Sequence, residues 1–218
     1  MTGKNASVIV KLGGSLAEGE PQRLSSILKI VGAAMRPCIV VPGGGTFADA
    51  VRDAYRSHGL TQAVAHRMAL LAMHQTGMML ASMDGRFVCV ETLSAIRRAL
   101  AEDRIPVWMP LKVSADDAHI THDWKTTSDA LAARLAERLG RASVALVKSC
   151  AVDPQATAAA LSRAGIVDAT FPRIVARAKL DWRVLGVGDE GELADLLGVE
   201  AGTARGSVPR RHAIPRKK

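Results

Sequence analysis

The stretch that most constrains this chain is Val8-Ile9-Val10-Lys11-Leu12-Gly13-Gly14-Ser15. Three β-branched residues run into a lysine, and two glycines follow at once. The run predicts a buried strand over 8–12, because β-branched side chains suit a pleated surface covered on both sides. Gly13 and Gly14 allow a sharp turn and let bare backbone N–H groups come close to an anion. Lys11 then falls at the carboxyl end of the strand, where open α/β sheets place their ligands. The octet reads equally as a phosphate site with a point charge beside it and as a plain strand with a surface lysine and a turn.

A chain of 218 residues suits one large α/β domain or two small lobes. Aromatic residues are only 3% of it, so aliphatic side chains must fill the core. No segment approaches the ~18 apolar residues of a membrane span, and the N-terminus shows no signal-peptide pattern. Cys38, Cys89 and Cys150 lie far apart in apolar segments and form no Cys-x-x-Cys pair, so buried free thiols in a reducing cytoplasm are expected. The net charge of +8 is unevenly placed: Arg205, Arg210, Arg211, Arg216, Lys217 and Lys218 lie within 203–218 without an acid, which leaves +2 for the rest. The body is nearly neutral, and the basic tail reads as a solvated end in preference to a nucleic-acid arm.

Along the chain, strands and helices alternate. A helix is expected over 21–34, with Leu24, Ile27, Leu28 and Val31 on one face, and a second strand over Cys38–Val41. Pro42-Gly43-Gly44-Gly45-Thr46 then leads into a helix carrying Phe47, Val51 and Tyr55, which Gly59 closes. Strand, glycines and helix N-terminus make a second anion cradle, without the Gly-Lys-Ser/Thr of a P-loop. In the apolar segment 61–83, His66, Ala69, Leu70 and Met73 share one helical face, read as core or subunit packing. Strands follow at Arg86–Val90 and Ile105–Pro110, separated by a helix capped by Thr92. This alternation predicts a three-layer αβα sandwich around a mainly parallel sheet.

His122-Asp123-Trp124-Lys125-Thr126-Thr127-Ser128-Asp129 precedes a helix bearing Leu131, Leu135 and Leu139. Thr126 and Asp129 have the spacing of a capping box. The hydroxyls and the carboxylate of this run can instead hold lysine ammonium groups or a nucleotide at the sheet's edge. His119-x-x-His122 with Asp116, Asp117 and Asp123 matches no zinc template, so no metal site is assigned. A fifth strand, Val144–Val147, ends in Lys148-Ser149; a helix is expected from Pro154, a short helix up to Lys179, a strand over Arg183–Val187 and a helix over Glu192–Leu197. Lys148, Asp153, Asp168 and Lys179 lie in or beside loops, and each alone reads as a solvated surface residue.

Together, Val10-Lys11-Leu12-Gly13-Gly14-Ser15, Val41-Pro42-Gly43-Gly44-Gly45 and Thr127-Ser128-Asp129 occur in the order seen in the amino acid kinase family, and the resemblance spans roughly residues 7–198. The family includes carbamate, acetylglutamate, aspartate and uridylate kinases. Phe47–Arg52, His66–Met73 and Trp124–Asp129 further resemble the branch containing the 5-(aminomethyl)-3-furanmethanol phosphate kinase of methanofuran and methylofuran biosynthesis. The resemblance implies an ATP- and Mg²⁺-dependent kinase acting on a small phosphate or carboxylate acceptor, cytoplasmic and homo-oligomeric. It also implies an acceptor lobe over 1–145, a short nucleotide lobe over 146–200 and a flexible tail over 201–218. Lys11 would bridge donor and acceptor, with Asp129 orienting it and a second cation. Gly13, Gly14, Gly43, Gly44 and Gly45 would offer amides to phosphate, with Thr127 and Ser128 nearby and Asp49 facing an acceptor amine. Several relatives take their second cation from a late Gly-Gly-x-x-Thr-Lys segment; this sequence has none, and Lys148 and Lys179 are the candidate substitutes, with Ser149 and Lys179 at the nucleotide. Alternatives of the same fold are a nucleotide- or oxoanion-binding or storage protein, or a kinase of UMP or an amino acid; a nucleic-acid regulator using the tail is a further class.

Overall fold

The structure, a computed structural model, describes residues 6–16, 21–114, 117–121, 123, 126–140 and 142–200. Its centre is a six-stranded parallel sheet: β1 (Ser7–Leu12), β2 (Cys38–Pro42), β3 (Phe87–Val90), β4 (Ile105–Trp108), β5 (Ala142–Val147) and β6 (Trp182–Leu185). The strands lie in the order β3-β4-β2-β1-β5-β6. The helices are α1 (Pro21–Gly32), α2 (Gly45–His58), α3 (Gln62–Ala81), α4 (Leu93–Ala101), the short α5 (Leu111–Ser114), α6 (Ser128–Leu139), α7 (Ala158–Arg163), α8 (Phe171–Ala178) and α9 (Glu190–Leu197).

The opening octet takes the central place. β1 lies between β2 and β5, with Lys11 level with Val41 on one side and Leu146 on the other. A strand buried on both faces needs apolar residues at every position, and Val8, Ile9 and Val10 supply them. Successive residues point to opposite layers. Val8, Val10 and Leu12 pack with Val40, Ala145 and Val147 against α1 and α9. Ile9, Val41, Val144 and Leu146 pack with Leu131 and Leu135 of α6, Leu70 and Met73 of α3, and Ile174 of α8. The expected αβα sandwich with a parallel sheet is what forms.

The chain moves from β1 outward through β2, then crosses back to place β5 on β1's other side. This reversal opens a crevice at the carboxyl ends of β1 and β5, the position where doubly wound sheets hold ligands. The expected lobe boundary at 145/146 falls inside β5, which pairs with both β1 and β6.

Several local expectations are corrected. Pro154 lies in a turn, and α7 begins only at Ala158, where the Thr157 hydroxyl accepts from Ala160 N–H. The last strand stops at Leu185. Cys38 is buried, its thiol pushed up to about 12 by burial, whereas Cys89 on the edge strand β3 and Cys150 in a loop are exposed. Among the described residues no helix is long and apolar enough to cross a membrane. Asp116, His122, Trp124, Lys125 and the basic tail at 201–218 lie outside the described residues.

Candidate active site

Strand parity brings Lys11 and Lys148 together. Lys11 shares the α6-facing layer with Ile9, two residues earlier. Lys148 follows β5 in step with Val144 and Leu146 on that same layer, and its N–H continues the ladder to Leu185 O at 2.8 Å. Both ammonium groups therefore emerge under the N-terminus of α6. The second residue of that helix is Asp129, which meets Lys11 Nζ through Oδ1 at 2.9 Å and Lys148 Nζ through Oδ2 at 2.7 Å. Lys11 and Asp129 are only 5% and 4% exposed. Charges so deeply buried are stable only as a paired set.

Burial works to raise the Asp129 carboxyl, but Lys11 and Lys148 together outweigh it and hold it below its ordinary value. Lys148 moves the other way. Burial, joined by repulsion from Lys11, brings its ammonium down to about 8 against the attraction of Asp129 and Asp168. Asp129 is thus the ionised hub of two cations, and the expected capping box with Thr126 does not form. Thr126 shares a 2.6 Å hydrogen bond with the Thr121 hydroxyl instead.

The N-terminus of α6 is capped from elsewhere. Asp168, in the loop between α7 and α8, accepts through Oδ2 from Thr127 N–H (3.0 Å), the Thr127 hydroxyl (2.9 Å) and Ala130 N–H (2.8 Å). Its carboxyl is raised by burial and by Asp129, against these donors. Sequence reasoning treated Asp168 as a solvated loop residue. Its own segment marks it at most as a cap for α8, because the partners in α6 stand about 40 positions earlier.

Across the crevice the two glycine loops lie back to back. Gly43 N–H donates to Leu12 O at 2.8 Å, and Gly13 N–H to Val147 O at 3.1 Å. A Cβ on Gly14 would stand 2.2 Å from Gly45 N, and one on Gly43 would stand 2.4 Å from Gly14 N. No side chain fits between these loops. Gly45 takes a positive φ of 55° as α2 starts, so the first amides of that helix open toward the crevice. The Thr76 hydroxyl of α3 donates to Gly44 O at 3.2 Å and pins the loop from behind.

These parts line one cavity of about 670 Å³. It brings together Lys11, Gly14, Gly43, Gly44, Gly45, Asp49, Thr127, Ser128, Asp129 and Lys148. Gly13 does not line the cavity, and a Cβ there would stand 3.2 Å from Val147 O. Ser149 does not line it either, but its hydroxyl bonds at 2.7 Å to that of Ser15, which does. Lys179 is not brought to the cavity. It is the exposed left-handed C-cap of α8, which starts near Asp168 and runs away toward the amino end of β6. Asp49 sits on the cavity wall paired with Arg52, one turn along α2.

The α3 face of His66, Ala69, Leu70 and Met73 also lines the cavity. Core packing explains Leu70 and Met73, but the same stripe forms the apolar wall opposite the lysines, which periodicity alone does not distinguish. Among the described residues no group of three His, Cys, Asp or Glu side chains could hold a metal ion. Asp117 is instead bound by Arg134 at 2.8 and 3.0 Å. Two ammonium groups, a shared carboxylate and a wall of main-chain amides form a receptacle for phosphate-sized anions.

The sequence profile of the amino acid kinase family matches residues 6–151. The chain is 28% identical over 123 residues to (5-(aminomethyl)furan-3-yl)methyl phosphate kinase of Methanocaldococcus jannaschii, a match covering 56% of each chain. It thus spans about half the length of that curated relative. The fold is similar to uridylate kinase from Archaeoglobus fulgidus, with a TM-score of 0.65 at 18% identity over 89% of this chain and 96% of that one. It is also similar to isopentenyl phosphate kinase, with a TM-score of 0.60 at 16% identity over 89% and 97%. Carbamate kinase from Giardia lamblia, solved with AMP-PNP, gives 0.56 at 10% identity over 90% and 97%. With its three ordered motifs gathered at one crevice and the family profile covering most of its length, the chain belongs to the amino acid kinase family.

Proposed function

We propose that this protein transfers the γ-phosphoryl group of ATP to the phosphate of a small acceptor, (5-(aminomethyl)furan-3-yl)methyl phosphate being the favoured one. The observation that carries the reading is the Lys11–Asp129–Lys148 bridge beside the back-to-back glycine loops. The named relative supports the acceptor.

An acceptor phosphate oxygen attacks the γ-phosphorus and forms the new P–O bond. The bond from that phosphorus to the β–γ bridging oxygen breaks, and ADP leaves with the electron pair. An ionised phosphate is already a nucleophile, so no general base is required. What the site must do is hold two anions in line and spread the charge of the moving group. In this reading Lys11, at the junction of the two loops, faces the transferred group. Lys148, on the β5–β6 side, faces the donor phosphates. Amides at Gly43–Gly45 hold the acceptor phosphate, and α3 covers its apolar body. The elements through α6 make the acceptor side, and those from β5 onward the donor side.

The residues present do not fit a protein-held Mg²⁺. Both Asp129 oxygens face lysines, and both Asp168 oxygens face N–H and O–H donors. No step here depends on such a site. Asp49 faces the acceptor's amine in competition with Arg52. A cytoplasmic location and homo-oligomerisation through the exposed side of α3 belong to the same reading.

An ADP-release screen tests it, using the aminomethylfuran phosphate, its analogue lacking the amine, UMP, carbamate and acylated amino acids. Turnover with the first, reduced without the amine, is expected. Loss of that preference in Asp49→Asn would support the amine contact. ATP binding without turnover of any acceptor would overturn the kinase reading in favour of a binding protein.

A further inference from the structure

We propose that Asp168 is the positioning residue of this site: one carboxylate caps the N-termini of α6 and α8 together, and so sets where Asp129 lies between Lys11 and Lys148. While Oδ2 takes the donors of α6, Oδ1 accepts from Thr170 N–H and the Thr170 hydroxyl at 3.2 Å each, and from Phe171 N–H at 2.9 Å. Neither helix is capped by its own N-cap residue. Thr127 and Thr170, the two N-cap residues, make no capping hydrogen bond with their side chains. Asp168 replaces both.

Its main chain reaches the catalytic carboxylate too. Asp168 N–H donates to Asp129 Oδ2 at 3.3 Å, the same oxygen that Lys148 contacts. Asp129 is therefore held through its own helix and directly. The frame on the far side is rigid: Phe171 is fully buried and packs edge-to-face on Trp182 of β6, centroids 5.8 Å apart. Asp168 ties the first turn of α6 to that frame. Its negative charge faces two helix N-termini, each carrying partial positive charge, and it also attracts the Lys148 ammonium. Without it, α6 would lose the partner of its first amides and Asp129 could shift off one lysine.

The role rests on the kinase reading only where turnover is measured. Asp168→Asn, which keeps one acceptor oxygen and turns an amide N–H₂ toward the other helix's donors, is compared with Ile174→Val, which loosens α8 without touching the cap. Asp168→Asn is expected to lower kcat by about tenfold to a hundredfold, the scale of a misplacement approaching about 1 Å, with KM for both substrates little changed. Ile174→Val is expected to keep wild-type kcat at matched folded fraction.

A second readout needs no activity. Trace acetylation at pH 7, quantified on the Lys148 peptide, reports how firmly Asp129 and Asp168 hold that amine charged against Lys11 and burial. Lys148 should be acetylated several-fold faster in Asp168→Asn than in Ile174→Val. Equal labelling in the two variants would overturn the role, even if kcat fell, and so would equal kcat. If Asp168→Asn does not fold, Thr170→Val, which removes one donor from Asp168, should show both effects at smaller size; wild-type values there would overturn the role. A wild-type protein that turns over no acceptor, yet shows the labelling difference, would sink the kinase reading and leave the positioning intact.

Discussion

At the scale of single residues the site is two cations held by one carboxylate, and each member has a separable signature. Removing a charge that stabilises a transition state costs roughly 10²–10³ in kcat, or about 3–4 kcal/mol. Lys11→Ala is expected to lose turnover on that scale in the ADP-release assay while its circular dichroism stays that of the wild type. Lys148 adds a pH dependence. Its ammonium is held at about 8 by burial and by Lys11, so the cationic form is lost as pH rises through that value. Turnover should therefore fall on an alkaline limb near pH 8. A guanidinium stays charged far above this range, so Lys148→Arg should lack that limb even though its maximal rate is lower. A limb unchanged in Lys148→Arg would assign it to another group.

At the scale of elements, the glycine loops matter as a pair. Their main chains meet so closely that a Cβ on Gly14 would overlap Gly45. Gly14→Ala must push the β1 and β2 loops apart, and overpacking of this kind costs about 1–3 kcal/mol. Its melting temperature should fall and its KM for the acceptor should rise, because the amides at Gly43–Gly45 are displaced. Sequence alone marked both loops and the strands that carry them. It missed the capping of α6 by Asp168, because the capping-box spacing of Thr126 and Asp129 offered a local partner where the fold supplies a distant one. It also read α3 as packing only, since the stripe that fills a core and the stripe that walls a cavity share one period.

At the scale of the whole molecule, α3 has two unlike sides. His66, Leu70 and Met73 face inward, while Val64, Leu71 and Met78 recur at seven-residue steps and are 48%, 46% and 60% exposed. A stripe of that spacing is the seam by which one helix packs on another. If copies of this chain assemble through it, Leu71→Glu should shift the protein to a smaller species by light scattering, with its cavity residues untouched. An unchanged assembly would place the interface elsewhere.

By itself the sequence determined the architecture: a continuous apolar strand before two glycines, alternating with amphipathic helices, can bury itself only in a parallel sheet covered on both sides. Through the order of the motifs it also singled out Lys11 and Asp129 as candidates for one site, and the fold pairs them. Only the tertiary structure decided which second lysine joins them. Lys148 and Lys179 are equally basic and equally loop-bound in sequence, but β5 lies beside β1 in register, and residues in step with Leu146 face α6. That register carries the Lys148 ammonium to Asp129, whereas Lys179 ends a helix pointing the opposite way. Which side chains share a site is set by strand pairing over more than a hundred residues of chain, and no local spacing encodes that distance.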